Sequence, residues 1–247
     1  MATLYEGKMA EIFDAMYKIF INYDEEYLFY NDFVTANNSK NVLEIGCGTG
    51  NLAKRFIQNK TDYLGLDFSQ SMINIAQIRN PNGNFVQADM RNFKLNQSFD
   101  STLITGRTTS YLISNEDIHN CFSSVFKNLS QNGFLIFDFI DANRYVPFVL
   151  KNKNIKHEAQ INGELFRRIG NWTPTPKSEN FLLDWTAKYY KIINKKENLI
   201  FEDFSTVRVF TLNEIEIFLY KNGYEIIKTI DRKTYAYDTY VILAKKS

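Results

Sequence analysis

Cysteine, histidine and charge of one sign are all scarce in this chain. Its 247 residues include two cysteines and two histidines. Cys47 and Cys121 make neither a disulfide framework nor a spaced metal-ligand set, so no metal site is expected. Lysine and arginine number 29 against 28 aspartate and glutamate, a net charge of +1, and no basic run exceeds Lys245-Lys246. Phosphate contacts supply most nucleic-acid affinity, so nothing in the charge favours DNA or RNA as a partner. No early apolar stretch reads as a signal peptide and none is long enough to span a bilayer. The expectation is a cytoplasmic protein without a membrane partner. No internal repeat is visible. Hydrophobic content of 45% and charged content of 23% are ordinary for a globular chain of one large domain, or of a domain with an insertion.

Against that background one stretch carries chemistry: Asn41-Val42-Leu43-Glu44-Ile45-Gly46-Cys47-Gly48-Thr49-Gly50. A short apolar run ends in an acid and breaks into a glycine-rich turn. Leu52, Ala53, Phe56 and Ile57 then recur at helical spacing, so the turn joins a buried strand to an amphipathic helix. Glycines at 46, 48 and 50 allow a sharp turn and a ligand's close approach, and the helix-start amides point at the same place. A dinucleotide fingerprint spaces its glycines as Gly-x-Gly-x-x-Gly. Here the spacing is Gly-x-Gly-x-Gly, with Glu44 on the last turn of the strand. That carboxylate would repel a pyrophosphate and suits a ligand bearing an ammonium or sulfonium group.

Asp62-Tyr63-Leu64-Gly65-Leu66-Asp67 reads as a second strand ending in an acid, about 20 residues on, where α/β nucleotide folds hold ribose hydroxyls. Phe68-Ser69-Gln70-Ser71-Met72 follows, with Ser69 a helix cap and Met72, Ile75, Ala76 and Arg79 on one face. A third strand, Phe85-Val86-Gln87, ends in Ala88-Asp89-Met90-Arg91. Glu44, Asp67 and Asp89 therefore meet at the carboxyl edge of one sheet, where doubly wound folds bind ligands.

These motifs resemble those of the class I S-adenosylmethionine-dependent methyltransferase family. Ser98-Phe99-Asp100-Ser101-Thr102-Leu103-Ile104-Thr105 resembles its fourth strand and Leu129 to Asp138 its fifth, so the match spans residues 40–140. The resemblance implies S-adenosylmethionine as cofactor and a Rossmann-like, doubly wound α/β sheet. It implies that Gly46, Cys47 and Gly48 line the methionine part and that Glu44 lies near its amino group. Asp67 would hold the ribose diol, Phe68 would flank the adenine, and Asp89 with the Met90 amide would read the adenine edge. Thr105 would sit near the sulfonium.

Residues 8–34 are helical in pattern, with Ile12, Met16, Ile19 and Phe20 on one side and Tyr23, Tyr27 and Tyr30 behind them. The tyrosines read as packing or as an aromatic flap over the cofactor, and Tyr17 stands where small-molecule members of the family carry an active-site tyrosine. Residues 141–210 lose helical periodicity. Glu164 to Ile169, Phe181 to Ile193 and Leu199 to Phe210 read as strands, with turns at Trp172 to Pro176 and Asn194 to Asn198. Thr211-Leu212-Asn213-Glu214 is a capping box that starts the last helix, Asn222-Gly223 stops it, and Tyr224 to Ile230 with Thr239 to Ala244 forms an antiparallel hairpin on the sheet edge. The expected organisation is a core of 1–140 and 211–247, with 1–38 a helical flap and 141–210 an inserted antiparallel β lid. This layout resembles the branch holding amino-sugar and glycine-type N-methyltransferases.

Other candidates weigh less. Cys121 falls in the stripe Ile118, Cys121, Phe122, Val125, Leu129 and reads as core; His119 lies off it and reads as solvated. His157 opens the inserted sheet, and Trp172 and Trp185 read as packing anchors. Arg107 and Tyr111, after the fourth strand, are the polar residues best placed with Tyr17 at a methyl-transfer face. The expected reaction is methyl transfer to a small-molecule acceptor, an amine nitrogen first and a hydroxyl or carboxyl oxygen second. RNA, protein and NAD-dependent alternatives rank lower. The inserted sheet is also the candidate homodimer contact.

Overall fold

The computed structural model describes residues 4–175, 180–233 and 239–247. Its main sheet has seven strands in the order β10-β11-β5-β4-β1-β2-β3. The strands are β1 (Asn41–Ile45), β2 (Asp62–Asp67), β3 (Asn84–Gln87), β4 (Phe99–Ile104), β5 (Leu129–Phe139), β10 (Tyr224–Arg232) and β11 (Thr239–Lys246). Pairing is parallel from β3 through β5, and β11 is antiparallel to both β5 and β10. Buried β1 reads as a nearly continuous apolar run because both of its faces are covered. The expected antiparallel hairpin on the edge is present; the residues between its strands, 234–238, lie outside the described ones.

Helices cover the main sheet on both sides, and α4 (Gln70–Arg79) follows β2. On one, α5 (Asn115–Asn128) buries Ile118, Cys121, Phe122 and Val125 against Leu135 and Phe137, with α7 (Leu212–Lys221) beside it. Both capping boxes, Ser114 with Asp117 and Thr211 with Glu214, are closed, which satisfies otherwise orphaned first-turn amides. On the other side, α2 (Tyr23–Ala36) and α3 (Asn51–Gln58) bury Tyr30, Val34, Leu52 and Phe56 on Val42, Leu103 and Ile136.

The amino-terminal helical pattern divides in two. α1 (Gly7–Phe20) ends at extended Ile21, and the Asn22 side chain caps α2 by accepting from the Asp24 and Glu25 amides. Asn22 ahead of Asp24-Glu25-Glu26 is the signal that marks this break. Only α2 packs on the main sheet. α1 buries Ile12 and Met16 against the inserted sheet, and Ile19, expected on that apolar side, is 60% exposed.

Residues 141–210 are not all strand. They open with α6 (Ala142–Lys151), which buries Ala142, Tyr145 and Val149 at i, i+3 and i+7. Pro147 within it and the valines around it disguise that period as an extended run. Four antiparallel strands follow: β6 (Ile155–Ile161), β7 (Glu164–Pro174), β8 (Leu182–Ile193) and β9 (Lys196–Arg208). β6 had no counterpart in the sequence reading, and His157 lies in its middle. Its signal was Asn162-Gly163, whose positive φ values of 50° and 79° make the tight hairpin turn into β7. The turn expected at Trp172 to Pro176 begins later, because β7 runs through Pro174; Pro176 lies outside the described residues. The second expected turn shrinks to Asn194 and Lys195, with φ of 49° and 64°.

Candidate active site

β1 ends at the glycine turn because Gly46, Gly48 and Gly50 all have positive φ, a region that Cβ-bearing residues disfavour. The Gly46 and Cys47 amides both donate to the Leu66 carbonyl and fasten the turn to β2. Asp67 locks it further. Its Oδ2 accepts from the Gly48 amide at 2.8 Å and its Oδ1 from the Ser69 amide at 2.9 Å. A Cβ built on Gly48 meets nothing within 4 Å, so the turn faces open space. Gly46 differs, since a Cβ there would fall 2.5 Å from Thr108.

That open space is a cavity of about 400 Å³. Glu44, Gly46, Cys47, Gly48, Asp67, Phe68, Asp89, Met90 and Thr105 all line it, so the structure brings every expected cofactor residue together. Tyr17 and Tyr111 line it too. Arg107 does not belong to that wall. It is buried, and its backbone amide donates to Asp138 Oδ1 at 2.7 Å, a bond between β5 and the 3-10 turn Thr108–Tyr111. His157 and the two tryptophans also stand outside the wall. Trp172 packs against Trp185 with ring centroids 4.7 Å apart, as anchors do.

Electrostatics distinguish the three strand-end acids. Glu44 is nearly sealed from solvent, accepts from the Tyr63 hydroxyl, and receives Thr105 Oγ1 at 3.4 Å. Burial pushes its carboxyl up to about 7, with the Asp67 charge adding to the shift and the Tyr63 and Thr105 hydroxyls opposing it. Asp67 is raised by burial against its backbone donors. Asp89 is lowered, chiefly by its hydrogen bonds with Arg91, whose Nη2 stands 2.6 Å from Asp89 Oδ2 and which also pairs with Asp117 at 3.2 Å.

Several residues of the site were not legible in the sequence. Tyr5 lines the cavity and meets Tyr111, hydroxyl to hydroxyl, so residues ahead of α1 cross its mouth. The Tyr5 carbonyl accepts from Ser69 Oγ at 2.6 Å, which holds that crossing down. Asp14 on α1 is buried and accepts from Thr49 Oγ1, from Asn51 Nδ2 at 2.8 Å and from Arg79 Nη2 at 2.8 Å, with Lys18 Nζ 2.6 Å away. It latches α1 onto the glycine turn. A lone aspartate in an amphipathic helix gives no spacing signal for such a role. Of the tyrosine stripe, Tyr27 packs edge-on to Phe56 and Tyr30 is wholly buried, while Tyr23 reaches the cavity.

The arrangement can take a cationic, ribose-bearing ligand of modest size. The open face of Gly48 gives backbone contact, and three carboxylates stand at separate points of the wall. Among the described residues no group of three His, Cys, Asp or Glu could hold a metal ion.

Residues 42–133 match the methyltransferase-domain family model. Over that stretch the chain is similar to methyltransferase domains. A putative methyltransferase of Geobacillus sp. (strain WCH70) is 32% identical over 104 residues, 40% of this chain and 42% of that one. The Streptomyces venezuelae dTDP-3-amino-3,4,6-trideoxy-alpha-D-glucopyranose N,N-dimethyltransferase is 27% identical over 139 residues, covering 54% and 57%. The chain thus spans about half the length of these curated relatives. Similarity of fold extends further. The structure of an S-adenosylmethionine-bound amino pentose methyltransferase from Micromonospora echinaspora superposes with a TM-score of 0.79 at 17% identity, covering 100% of both chains. Streptomyces venezuelae DesVI gives 0.78 at 19%, covering 96% of this chain and 99% of that one. The matched stretch therefore sits in a Rossmann-like fold whose inserted sheet falls within the superposed length.

Proposed function

We propose that this chain is an S-adenosylmethionine-dependent methyltransferase whose acceptor is a small-molecule amine. The observation that carries the reading is the cavity, whose wall brings together three strand-end carboxylates, an open glycine turn and the side chains of Tyr17 and Tyr111. When bound, the cofactor supplies an activated methyl carbon, to which a nucleophile's lone pair bonds as the carbon–sulfur pair returns to sulfur. Glu44 would hold the ammonium of its methionine part and Asp67 its ribose diol. Asp89 and the Met90 amide would read the adenine edge, Phe68 would flank that ring, and Thr105 would stand near sulfur.

The protein's remaining task is to align the nucleophile and exclude water. Tyr17 and Tyr111 are the hydroxyls that would orient it. With the three acids of the wall turned to the cofactor, the acceptor amine arrives neutral and its proton leaves to solvent after transfer. Amine acceptors gain support from the amino-sugar N-methyltransferases among relatives and neighbours. A cytoplasmic location fits this reading, since the cofactor is made there. Leu199 and Phe204, exposed on β9, mark where a homodimer contact of the inserted sheet would form, and sedimentation across a concentration series checks it.

Labelled cofactor incubated with a metabolite extract, in parallel with tRNA and protein fractions, tests the proposal. Label should appear in amine-bearing small molecules. Label confined to tRNA or protein would overturn the acceptor class, and label in hydroxyl or carboxyl products would replace nitrogen with oxygen as acceptor.

A further inference from the structure

The inserted sheet turns one face toward α1, and a polar row crosses that apolar face. His157 on β6 pairs in register with Arg168 on β7, and Arg168 with Tyr189 on β8. All three share the side that buries Ala159, Phe166 and Ala187 against Ile12 and Met16. Asp203 on β9, opposite Ala187, adds a carboxylate on that side.

Arg168 is the unusual member. It is 6% exposed, and no carboxylate among the described residues stands within ion-pair distance of it. Its Nε has no hydrogen-bond partner. The guanidinium lies instead against ring faces, 5.7 Å from the centroid of Tyr17 and 5.5 Å from that of Trp185. Its Nη2 stands 3.0 Å from His157 Nδ1. Burial first and the Arg168 charge second hold that imidazole down at about 4, so it is neutral at pH 7 and accepts from the guanidinium. A buried cation without a direct ion pair is costly, and packing alone would be better served by an apolar side chain. Tyr17, on whose rear this charge rests, stacks on Phe13 at 3.9 Å, and both line the cavity.

We propose that Arg168 is an electrostatic positioning residue of the methyl-transfer face: its charge behind Tyr17 disfavours a protonated amine at the acceptor position and selects the neutral, nucleophilic form. A protonated amine has no lone pair to give, so this selection bears directly on turnover. A fixed, buried cation is screened less than an exposed one and acts across several ångströms. The groups facing Arg168 are Tyr17 from α1, His157 from β6, Tyr189 and Trp185 from β8, and Asp203 from β9. Among these only Asp203 opposes it in sign. Glu44, Asp67 and Asp89 lie on the strand-end wall of the cavity and act on the cofactor.

The inference rests on the reading that the Tyr17 end of the cavity receives the acceptor, and it can be tested without knowing that acceptor. Sinefungin carries an ammonium-bearing carbon where the cofactor has its methylsulfonium, so it places a protonated amine at the transfer position. S-adenosylhomocysteine places nothing there. Calorimetric affinities for both are measured at pH 7.5 on the whole protein, wild type, Arg168→Met, Arg168→Gln, Arg168→Lys and Asp203→Asn. Both neutral Arg168 variants should raise the preference for sinefungin over S-adenosylhomocysteine at least threefold, Arg168→Lys should keep it near wild type, and Asp203→Asn should lower it. General loosening would weaken both ligands alike and leave the ratio unmoved. An unmoved ratio with S-adenosylhomocysteine still bound would overturn the inference alone; failure of wild type to bind S-adenosylhomocysteine would remove the reading beneath it.

Discussion

The strand-end wall of the cavity and the inserted sheet that backs α1 are built in opposite ways. At the strand-end wall, each candidate cofactor side chain closes a short contiguous motif, and the glycine turn leaves its backbone open to the cavity. Glu44, Asp67 and Asp89 stand at, or within two residues of, the ends of three successive parallel strands, and Asp67 fastens the turn that would receive the ligand. The α1 and inserted-sheet side has no such motif. Its polar row takes one residue from each of several strands, and its register depends on hairpin turns at Asn162-Gly163 and Asn194-Lys195. The strand-end wall suits an invariant cofactor; the inserted sheet meets the cavity only through α1, whose Phe13 and Tyr17 line it, and can change its residues without disturbing the glycine turn.

The largest effect should come from breaking the motif wall at Gly48. Gly48→Val places a branched side chain in the ligand's space at a φ of 54°. S-adenosylhomocysteine binding should be undetectable by calorimetry, while the backbone strain costs only about 1–2 kcal/mol of stability in urea unfolding. A variant that still binds would show that the ligand does not pass over this turn.

Asp14 links α1 to the strand-end wall and should come next. Asp14→Ala strands Arg79 beside Thr49 and Asn51, and breaking one side of a buried pair costs roughly 3–5 kcal/mol. Urea melts should show that loss, with faster release of S-adenosylhomocysteine in stopped flow because α1 is no longer held to the turn. Stability within 1 kcal/mol of wild type would mean the latch is ornamental.

Asp67→Ala removes an acceptor of two backbone amides as well as the proposed ribose contact. Losing charged hydrogen bonds of this kind should weaken S-adenosylhomocysteine by about 1.5–3 kcal/mol. An unchanged affinity would place the ribose elsewhere.

A smaller effect reports on Glu44. Its folded value of about 7 lies above the ordinary carboxyl range, so the folded state holds a proton that the unfolded chain releases. The stability from that proton is complete below the unfolded value near 4.5 and is lost as pH rises through about 7. A ligand ammonium needs the ionised form, so binding of S-adenosylhomocysteine should release up to one proton below pH 7 and tighten as pH rises to 8. Calorimetry in buffers of different ionisation enthalpy counts that proton, and Glu44→Gln should abolish the release. A wild-type binding heat independent of buffer at pH 6.5 would contradict the assignment.

The same contrast governs what the sequence discloses. The motif wall is legible because each strand end couples an apolar run, an acid and a turn within a few residues. The carboxylate of Asp14 and the ring of Tyr5 reach the site by tertiary packing across 35 and 106 residues, to Thr49 and Tyr111, with no local pattern to mark them. Arg107 shows the reverse error. Its place after β4 suggested the cavity, yet its positive φ turns the residue inward toward Asp138. β6 and α6 are hard to read for physical reasons as well: the strand has its only β-branched residues, Ile155 and Ile161, at its two ends, and the helix carries a proline inside its apolar period.

The central claim is that the cavity at Glu44, Gly48, Asp67 and Asp89 is built for S-adenosylmethionine. Titrating the purified protein with S-adenosylhomocysteine and, separately, with NAD tests it most directly. The account predicts one-to-one binding of S-adenosylhomocysteine, weakened in Asp67→Ala, and no heat with NAD. Saturable binding of NAD without binding of S-adenosylhomocysteine would contradict it.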